Sequence, residues 1–341
     1  MSRLLTSRVP DPMVAPPARW GILGTGWIAH AFVDALRTGT RQVIAAVGSR
    51  DAERAAAFAA AHDIPRSGTY ADLVTADVDV VYVASPHSEH RDHALLALDA
   101  GKPVLVEKAF TRNAAEAREV VTAARERGLF CMEAMWSRFL PHYDIVRQLV
   151  QEGALGEIQT VSADHGQRLY PDGPRRLADP GLAGGALLDL GIYPVSFASM
   201  VLGDLGRPTA VGTLTGLGVD AQVSVLARTP GGAHAVLNAT MTARTPTVAV
   251  VSGTEGRIEL DGDFYVPGSG RVVASDGRVV GEWGPADDAH RGLRFEAAEV
   301  ARRLAAGETS SPVMSSEETV RIMEFLDAIR AQIGEVYPGE A

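Results

Sequence analysis

The side chains with chemistry in them fall into a few short stretches of this 341-residue chain. Lys108 follows the apolar run Val104-Leu105-Val106 and Glu107. A lysine held at the carboxyl end of a buried strand can hydrogen-bond a substrate oxygen and favour a developing alkoxide. It can equally close a surface salt bridge with Glu107. Asp189 and Tyr193 stand four apart, which on a helix places them on one face. Leu187, Leu188, Leu190 and Ile192 around them are apolar, so the carboxylate needs a partner. A phenol beside a lysine can have its pKa pulled down and give or take a proton. A buried tyrosine satisfied by a backbone group has the same local sequence. Ser85-Pro86-His87-Ser88-Glu89-His90 follows another apolar run, and its histidines either open a helix or line a site. No His/Asp/Glu set has metal-ligand spacing. The single cysteine, Cys131, lies in Leu129-Phe130-Cys131-Met132 and reads as a buried, inert thiol.

These groups need a scaffold, and Gly24-Thr25-Gly26-Trp27-Ile28-Ala29 indicates which one. It follows the strand-like Arg19-Trp20-Gly21-Ile22-Leu23 and opens a pattern with Ile28, Phe32, Ala35 and Leu36 on one helical face. Strand, glycine loop and helix start form the context of a dinucleotide-binding fingerprint. Gly24 permits the tight turn, Gly26 lets backbone approach a pyrophosphate, and Ala29 is small enough for helix–strand packing. The helix N-terminus adds N–H groups and a positive dipole end. The second strand, Val43-Ile44-Ala45-Ala46-Val47, ends in Gly48-Ser49-Arg50. An NAD binder places an acid there for the ribose 2′-OH. A hydroxyl and a guanidinium suit a 2′-phosphate, which favours NADP over NAD. The other reading of Arg50 is a solvated surface residue.

Further βα units follow: a helix after Asp51, a strand over 78–84, a helix over 88–100, the Val104 strand, a helix over 114–127 opened by Asn113 and Glu116, and a strand over 129–134. Continuous apolar strands alternating with helices predict a parallel sheet covered on both faces. From residue 157 the texture changes to strand-like segments separated by turn signals, with helices at about 184–202, 291–306 and 316–332. The fold class expected is α/β: an N-terminal Rossmann domain over 18–137, and an α+β domain over 138–341 with a large open, mostly antiparallel sheet. Residues 1–17, rich in proline and arginine and lacking a signal-peptide core, are expected to be a flexible leader. The net charge of −10 argues against a general nucleic-acid or anionic-membrane surface. No apolar run approaches the roughly 18 residues of a span. One cysteine points to a reducing, cytoplasmic compartment.

Taken in order, these motifs resemble the Gfo/Idh/MocA family of nicotinamide oxidoreductases over about residues 19–338. The carriers are the glycine loop, Ser49-Arg50-Asp51, Pro86 with His90, Glu107-Lys108, and Asp189 through Tyr193. Met132 through Pro141, Gly184 through Tyr193 and the closing pattern from Phe295 to Gly334 look most like its dimeric dihydrodiol dehydrogenase and NADP-dependent D-xylose dehydrogenase branch. The resemblance implies that Lys108 and Tyr193 are the catalytic pair, with Asp189 supporting the tyrosine. It implies a cofactor site built from Gly24, Thr25, Gly26, Trp27, Ile28, Ser49, Arg50, Ser85, Pro86, His87, His90, Glu107 and Lys108, with Trp136 and Arg138 at the nicotinamide end. It also implies a carbohydrate or cyclic diol as substrate and a homodimer or homotetramer built through the sheet face. The chain departs from the family in carrying Ala109 where a proline usually follows the lysine. The function expected is hydride transfer between NADP and a secondary alcohol or carbonyl. The alternatives are a sugar-nucleotide ketoreductase and a non-enzymatic NADP-sensing regulator, the last opposed by the presence of both Lys108 and Tyr193.

Overall fold

A computed structural model describes residues 3–284 and 292–340. The chain divides into two compact units. The nucleotide-binding unit starts at Pro10 and runs to Phe139; the stretch that ends at Val320 rejoins it after the second unit's sheet is complete.

The first residues form a short strand, β1 (Arg3–Leu4), which belongs to the second unit. A helical turn, Pro12–Val14, follows, capped by the Asp11 carboxylate on Met13 N. Within the expected flexible leader, residues 3–4 thus pair as a strand and Asp11 caps a turn. Next come β2 (Arg19–Leu23), α1 (Trp27–Gly39), β3 (Val43–Gly48), α2 (Ala52–Ala61), β4 (Ser67–Gly68), α3 (Tyr70–Val74), β5 (Val80–Val83), α4 (His90–Asp99), β6 (Val104–Glu107), α5 (Ala114–Glu126) and β7 (Cys131–Ala134). Caps set the helix starts. Asp51 accepts from Glu53 N and Arg54 N, and Asn113 accepts from Glu116 N. The six strands are parallel in the order β4-β3-β2-β5-β6-β7. The order reverses between β2 and β5, and in open α/β sheets ligands bind beyond the strand ends at such a point.

The second unit contains α6 (Pro141–Gln151), β8 (Ile158–Gly166), α7 (Ile192–Leu202), β9 (Pro208–Leu214), β10 (Asp220–Arg228), β11 (His234–Thr240), β12 (Ala249–Gly253), β13 (Gly256–Leu260), β14 (Gly270–Ala274) and β15 (Val279–Trp283). They build one nine-stranded sheet in the order β1-β15-β14-β13-β12-β8-β11-β10-β9. The pairs β8–β11 and β1–β15 are parallel and the rest antiparallel. On β10, Val223, Val225 and Ala227 are buried while Gln222, Ser224, Leu226 and Arg228 are exposed, as period-two alternation requires of a sheet with one packed face. The apolar face lies under α7 and the turn before it.

Two helices remain, α8 (Leu293–Ala305) and α9 (Ser316–Ile333). The helix expected from 291 begins at Leu293; position 291 lies outside the described residues. α8 packs on α1, where Arg294 lies against Gly39. Cys131 N on edge strand β7 donates to Thr309 O at 3.1 Å, so the returning segment satisfies one N–H of that edge. The expected boundaries of 18–137 and 138–341 thus miss a return: α8 completes the nucleotide-binding unit, and the divide falls inside α9. The stretch Pro180–Leu202 is apolar enough by length and composition to pass for a membrane span, contrary to expectation. Yet 83% of its most apolar window is buried within the protein, as in a core helix.

Candidate active site

In the nucleotide-binding unit, three loops meet beyond β2, β3 and β5. Gly24 has φ +110°, and a Cβ there would stand 2.6 Å from Ala84 O, so only glycine closes this turn. Gly24 N donates to Gly48 O at 2.9 Å, and Ala84 N donates to Leu23 O at 2.8 Å. Gly26 caps α1 with no side-chain bond, and a Cβ there would meet nothing within 4 Å. Open space in front of the first α1 amides is what a bound pyrophosphate requires, so the loop fits a dinucleotide. Thr25 and Ile28 are half-buried beside it, and Trp27 is exposed. At the tip of β3, Ser49 is buried, its Oγ accepting from Asp51 N at 3.3 Å. Arg50 is exposed and makes no ion pair among the described residues. Behind the tip, Ser85 Oγ lies 2.9 Å from His93 Nδ1, and the His93 ring meets Tyr70 edge-on. Burial pushes the His93 pKa down, with Arg50 contributing in the same direction. Sequence reasoning missed His93 and Tyr70, because neither stands in a motif.

Lys108 is half-buried at the end of β6, and the Lys108–Ala109 peptide is cis. Its backbone is held on several sides. Lys108 N donates to Glu107 Oε2 at 3.2 Å, and Glu107 in turn accepts from the Tyr82 hydroxyl. His87 Nε2 lies 3.2 Å from Lys108 O. His90 Nδ1 is 2.9 Å from Ala109 O, and its Nε2 is 2.8 Å from Ser85 O. Burial first, and then His87, push His90 down to about 3, so its ring is neutral and carries one N–H between two carbonyls. His90 was expected among the cofactor contacts. In the structure it is buried between the Ser85 and Ala109 loops, its one N–H donated to one of their carbonyls. Pro86, half-buried, precedes the His87–Glu89 turn. Trp136 is buried just beyond β7. Arg138, expected beside it at the nicotinamide end, is buried with its guanidinium on the Glu318 carboxylate at 2.8 and 2.9 Å. That ion pair supplies the counter-charge a buried guanidinium needs.

In the second unit, Asp189 and Tyr193 sit on consecutive turns of one helical run. The expected single helix over 184–202 is a π-helical turn, Leu187–Gly191, followed by α7; such turns recur at functional sites. Asp189 accepts from Arg176 at 3.0 Å. Tyr193 is 6% exposed, with its ring centroid 5.2 Å from His165 and 4.7 Å from Tyr265. Gln167 Nε2 donates to Tyr265 OH at 3.0 Å and lies 2.9 Å from His165 Nε2. Sequence reasoning missed Arg176, His165, Gln167 and Tyr265. The alternation of β8 was the only signal available for His165. Cys131 is inert as expected, burial pushing its thiol up to about 12. Among the described residues no group of three or more His, Cys, Asp or Glu could hold a metal.

Parallel sheet, glycine loop and strand-end residues define a dinucleotide-binding oxidoreductase. Residues 18–135 match the model of the oxidoreductase family with an NAD-binding Rossmann fold, and residues 143–259 match the GFO/IDH/MocA C-terminal domain. The chain belongs to this family and is an NAD(P)-dependent dehydrogenase or reductase acting on CH–OH groups. It is 37% identical over 329 residues to human trans-1,2-dihydrobenzene-1,2-diol dehydrogenase, covering 94% of this chain and 98% of that one. The Xenopus tropicalis enzyme of the same name is 36% identical over 330 residues, covering 94% and 99%. A 3-ketoreductase from Actinomadura kijaniata, solved with NADP and TDP-benzene, superposes with a TM-score of 0.81 at 27% identity, covering 93% and 98%.

Proposed function

We propose that this enzyme uses NADP and acts on a secondary alcohol or carbonyl of a small cyclic diol or sugar. The observation that carries the reading is Tyr193: a buried phenol between aromatic rings, one turn from an Asp189 carboxylate paired with Arg176. Bound at the Gly24–Ile28 loop, the dinucleotide would supply the hydride donor or acceptor. Tyr193 gives or takes the hydroxyl proton, and Asp189 fixes the turn that carries it. Lys108 polarises the substrate oxygen. The Gly26 loop and the start of α1 hold the pyrophosphate, Ser49 and Arg50 hold the 2′-phosphate, and Trp136 borders the nicotinamide. The dihydrodiol dehydrogenases at 36–38% identity favour a diol or sugar. The ketoreductase solved with TDP-benzene supports a second reading, a keto-sugar carried on a nucleotide.

The test is a panel of dihydrodiols, aldoses, keto-sugars and sugar nucleotides with each nicotinamide dinucleotide, followed at 340 nm. Turnover of free diols or sugars with NADP is the expected result. Turnover of sugar nucleotides alone selects the second reading, and a preference for NAD rejects the cofactor assignment.

The outer face of the nine-stranded sheet supports assembly from two copies. Val211, Leu226 and Val236 are exposed on it, with Leu226 directly opposite Val236. Neighbouring apolar side chains on one open face suit association. Val236→Lys should lower the mass measured by light scattering.

A further inference from the structure

We propose that Asp220 and Glu335 share one proton and, as a pair, position the turn that carries Asp189 and Tyr193. The inference rests on the reading of Tyr193 as the proton-transfer group. Asp220 opens β10 and is fully buried. Its Oδ2 accepts from Leu187 N at 2.9 Å, at the first residue of the π turn. Its own backbone N–H donates to Glu335 Oε1 at 2.8 Å. Gly185, at φ +111°, runs against both acids: a Cβ there would collide with Asp220 Oδ1 and stand 3.1 Å from Glu335 Oε1. Both carboxyls therefore border the same spot beside Gly185. A third tie comes from the same segment, where Tyr337 OH donates to Gly184 O at 2.7 Å. Tyr337, just beyond α9, thus holds Gly184 while Asp220 holds Leu187.

Two buried carboxyls this close cannot both ionise, since the second charge would meet no solvent and a like charge. A proton on Asp220 Oδ1 turns that oxygen into a donor toward Glu335. The charge left on Glu335 faces Arg330, whose Nε lies 3.6 Å from its Oε2. Arg330 also pairs with Glu340 and lies over the Tyr337 ring, with Asp327 at 3.6 Å. Burial raises both carboxyls above the usual range, and Glu335 raises Asp220 further.

The test sets Asp220→Asn against Asp220→Ala. An asparagine carbonyl still accepts from Leu187 N, and its amide still donates to Glu335, reproducing the protonated acid. It should hold kcat to within about threefold, since only geometry is needed. Asp220→Ala frees the turn and should lower kcat by about tenfold or more, as small misplacements near chemistry do, with the Kd for NADPH unchanged. Amide hydrogen exchange across 184–193 should rise in Asp220→Ala and stay low in Asp220→Asn. Glu335→Ala should behave like Asp220→Ala, which keeps the test alive where one variant does not fold. Unchanged exchange in both alanine variants overturns the proposal, as does an asparagine variant as impaired as the alanine one. Tyr193→Phe is measured alongside. A fully active Tyr193→Phe enzyme refutes the reading of the tyrosine, while the exchange data judge the acid pair independently.

Discussion

The two units hold their reactive groups by opposite means. Around Lys108 the fixing is done on backbone: His87 and His90 reach the Lys108 and Ala109 carbonyls, and Glu107 takes the lysine N–H. Around Tyr193 it is done by rings packed edge-on and tilted, and by Asp220 on the first amide of the turn. Both schemes depend on ionisable groups kept neutral by burial, His90 in one unit and Asp220 in the other. A neutral buried group can hold a geometry without the cost of an unpaired charge. The contrast shows one constraint met twice: a strand-end loop can be braced through its own carbonyls, whereas a helix start offers only N–H groups and needs an acceptor.

The largest effect expected from breaking this arrangement is chemical. Tyr193→Phe removes the proposed proton carrier and leaves the ring packing intact. Stopped-flow and steady-state assays should show kcat lower by about 10²–10⁴-fold, with NADPH affinity unaltered. A near-wild-type kcat would remove Tyr193 from the mechanism. Arg50→Ala comes next. Losing a charge-assisted bond worth roughly 1.5–3 kcal/mol should weaken NADPH by about 10–150-fold, and NADH by threefold or less. The NADPH penalty should shrink as salt rises, because Arg50 is exposed. Equal loss for both dinucleotides in a fluorescence titration would make Arg50 structural.

Smaller effects read the neutral struts through pH. His90 has its folded pKa lowered from 6.5 to about 3. The unfolded chain therefore binds the extra proton first, and the contribution to stability is full above pH 6.5 and lost as pH falls toward 3. Thermal melts of His90→Gln should lose less stability over that window than the wild type. Glu296 runs the other way. Fully buried on α8, with neither carboxyl oxygen hydrogen-bonded among the described residues, it is raised by burial and then by Glu107 and Glu133. A raised carboxyl favours folding below its unfolded pKa, and that contribution fades as pH climbs toward the folded value. Glu296→Gln should flatten the alkaline decline in Tm; a steeper decline would show that the carboxylate is charged in the native state.

The nucleotide-binding unit was legible because its signals are local. The glycine loop, the Asp51 and Asn113 caps and the Ser49-Arg50 strand end each need only a few adjacent residues, and each stands where the pattern puts it. His90 was placed at the right loop, but its burial and its two carbonyl neighbours were not legible, because a motif does not reveal burial. Asp189 and Tyr193 were legible as a spacing. Their surroundings were not: His165, Tyr265, Asp220 and Glu335 come from four distant segments and meet only through sheet register and the return of α9. β1 escaped notice because two residues carry no periodicity, and its pairing depends on β15, far along the chain.

The return of α8 gives the order of synthesis a meaning. A ribosome releases the glycine loop and all six parallel strands long before residues 293–305 exist. Until then α1 lacks the helix that packs on it, Glu133 lacks Thr319, and the β7 edge lacks the Thr309 carbonyl. The nascent nucleotide-binding unit must wait, with an apolar face and an open strand edge, while the whole nine-stranded sheet is made. Such an edge is where unfinished chains join one another. The segment that lies on that edge is therefore made late, and a chain stopped near residue 140 should precipitate more readily than the full chain.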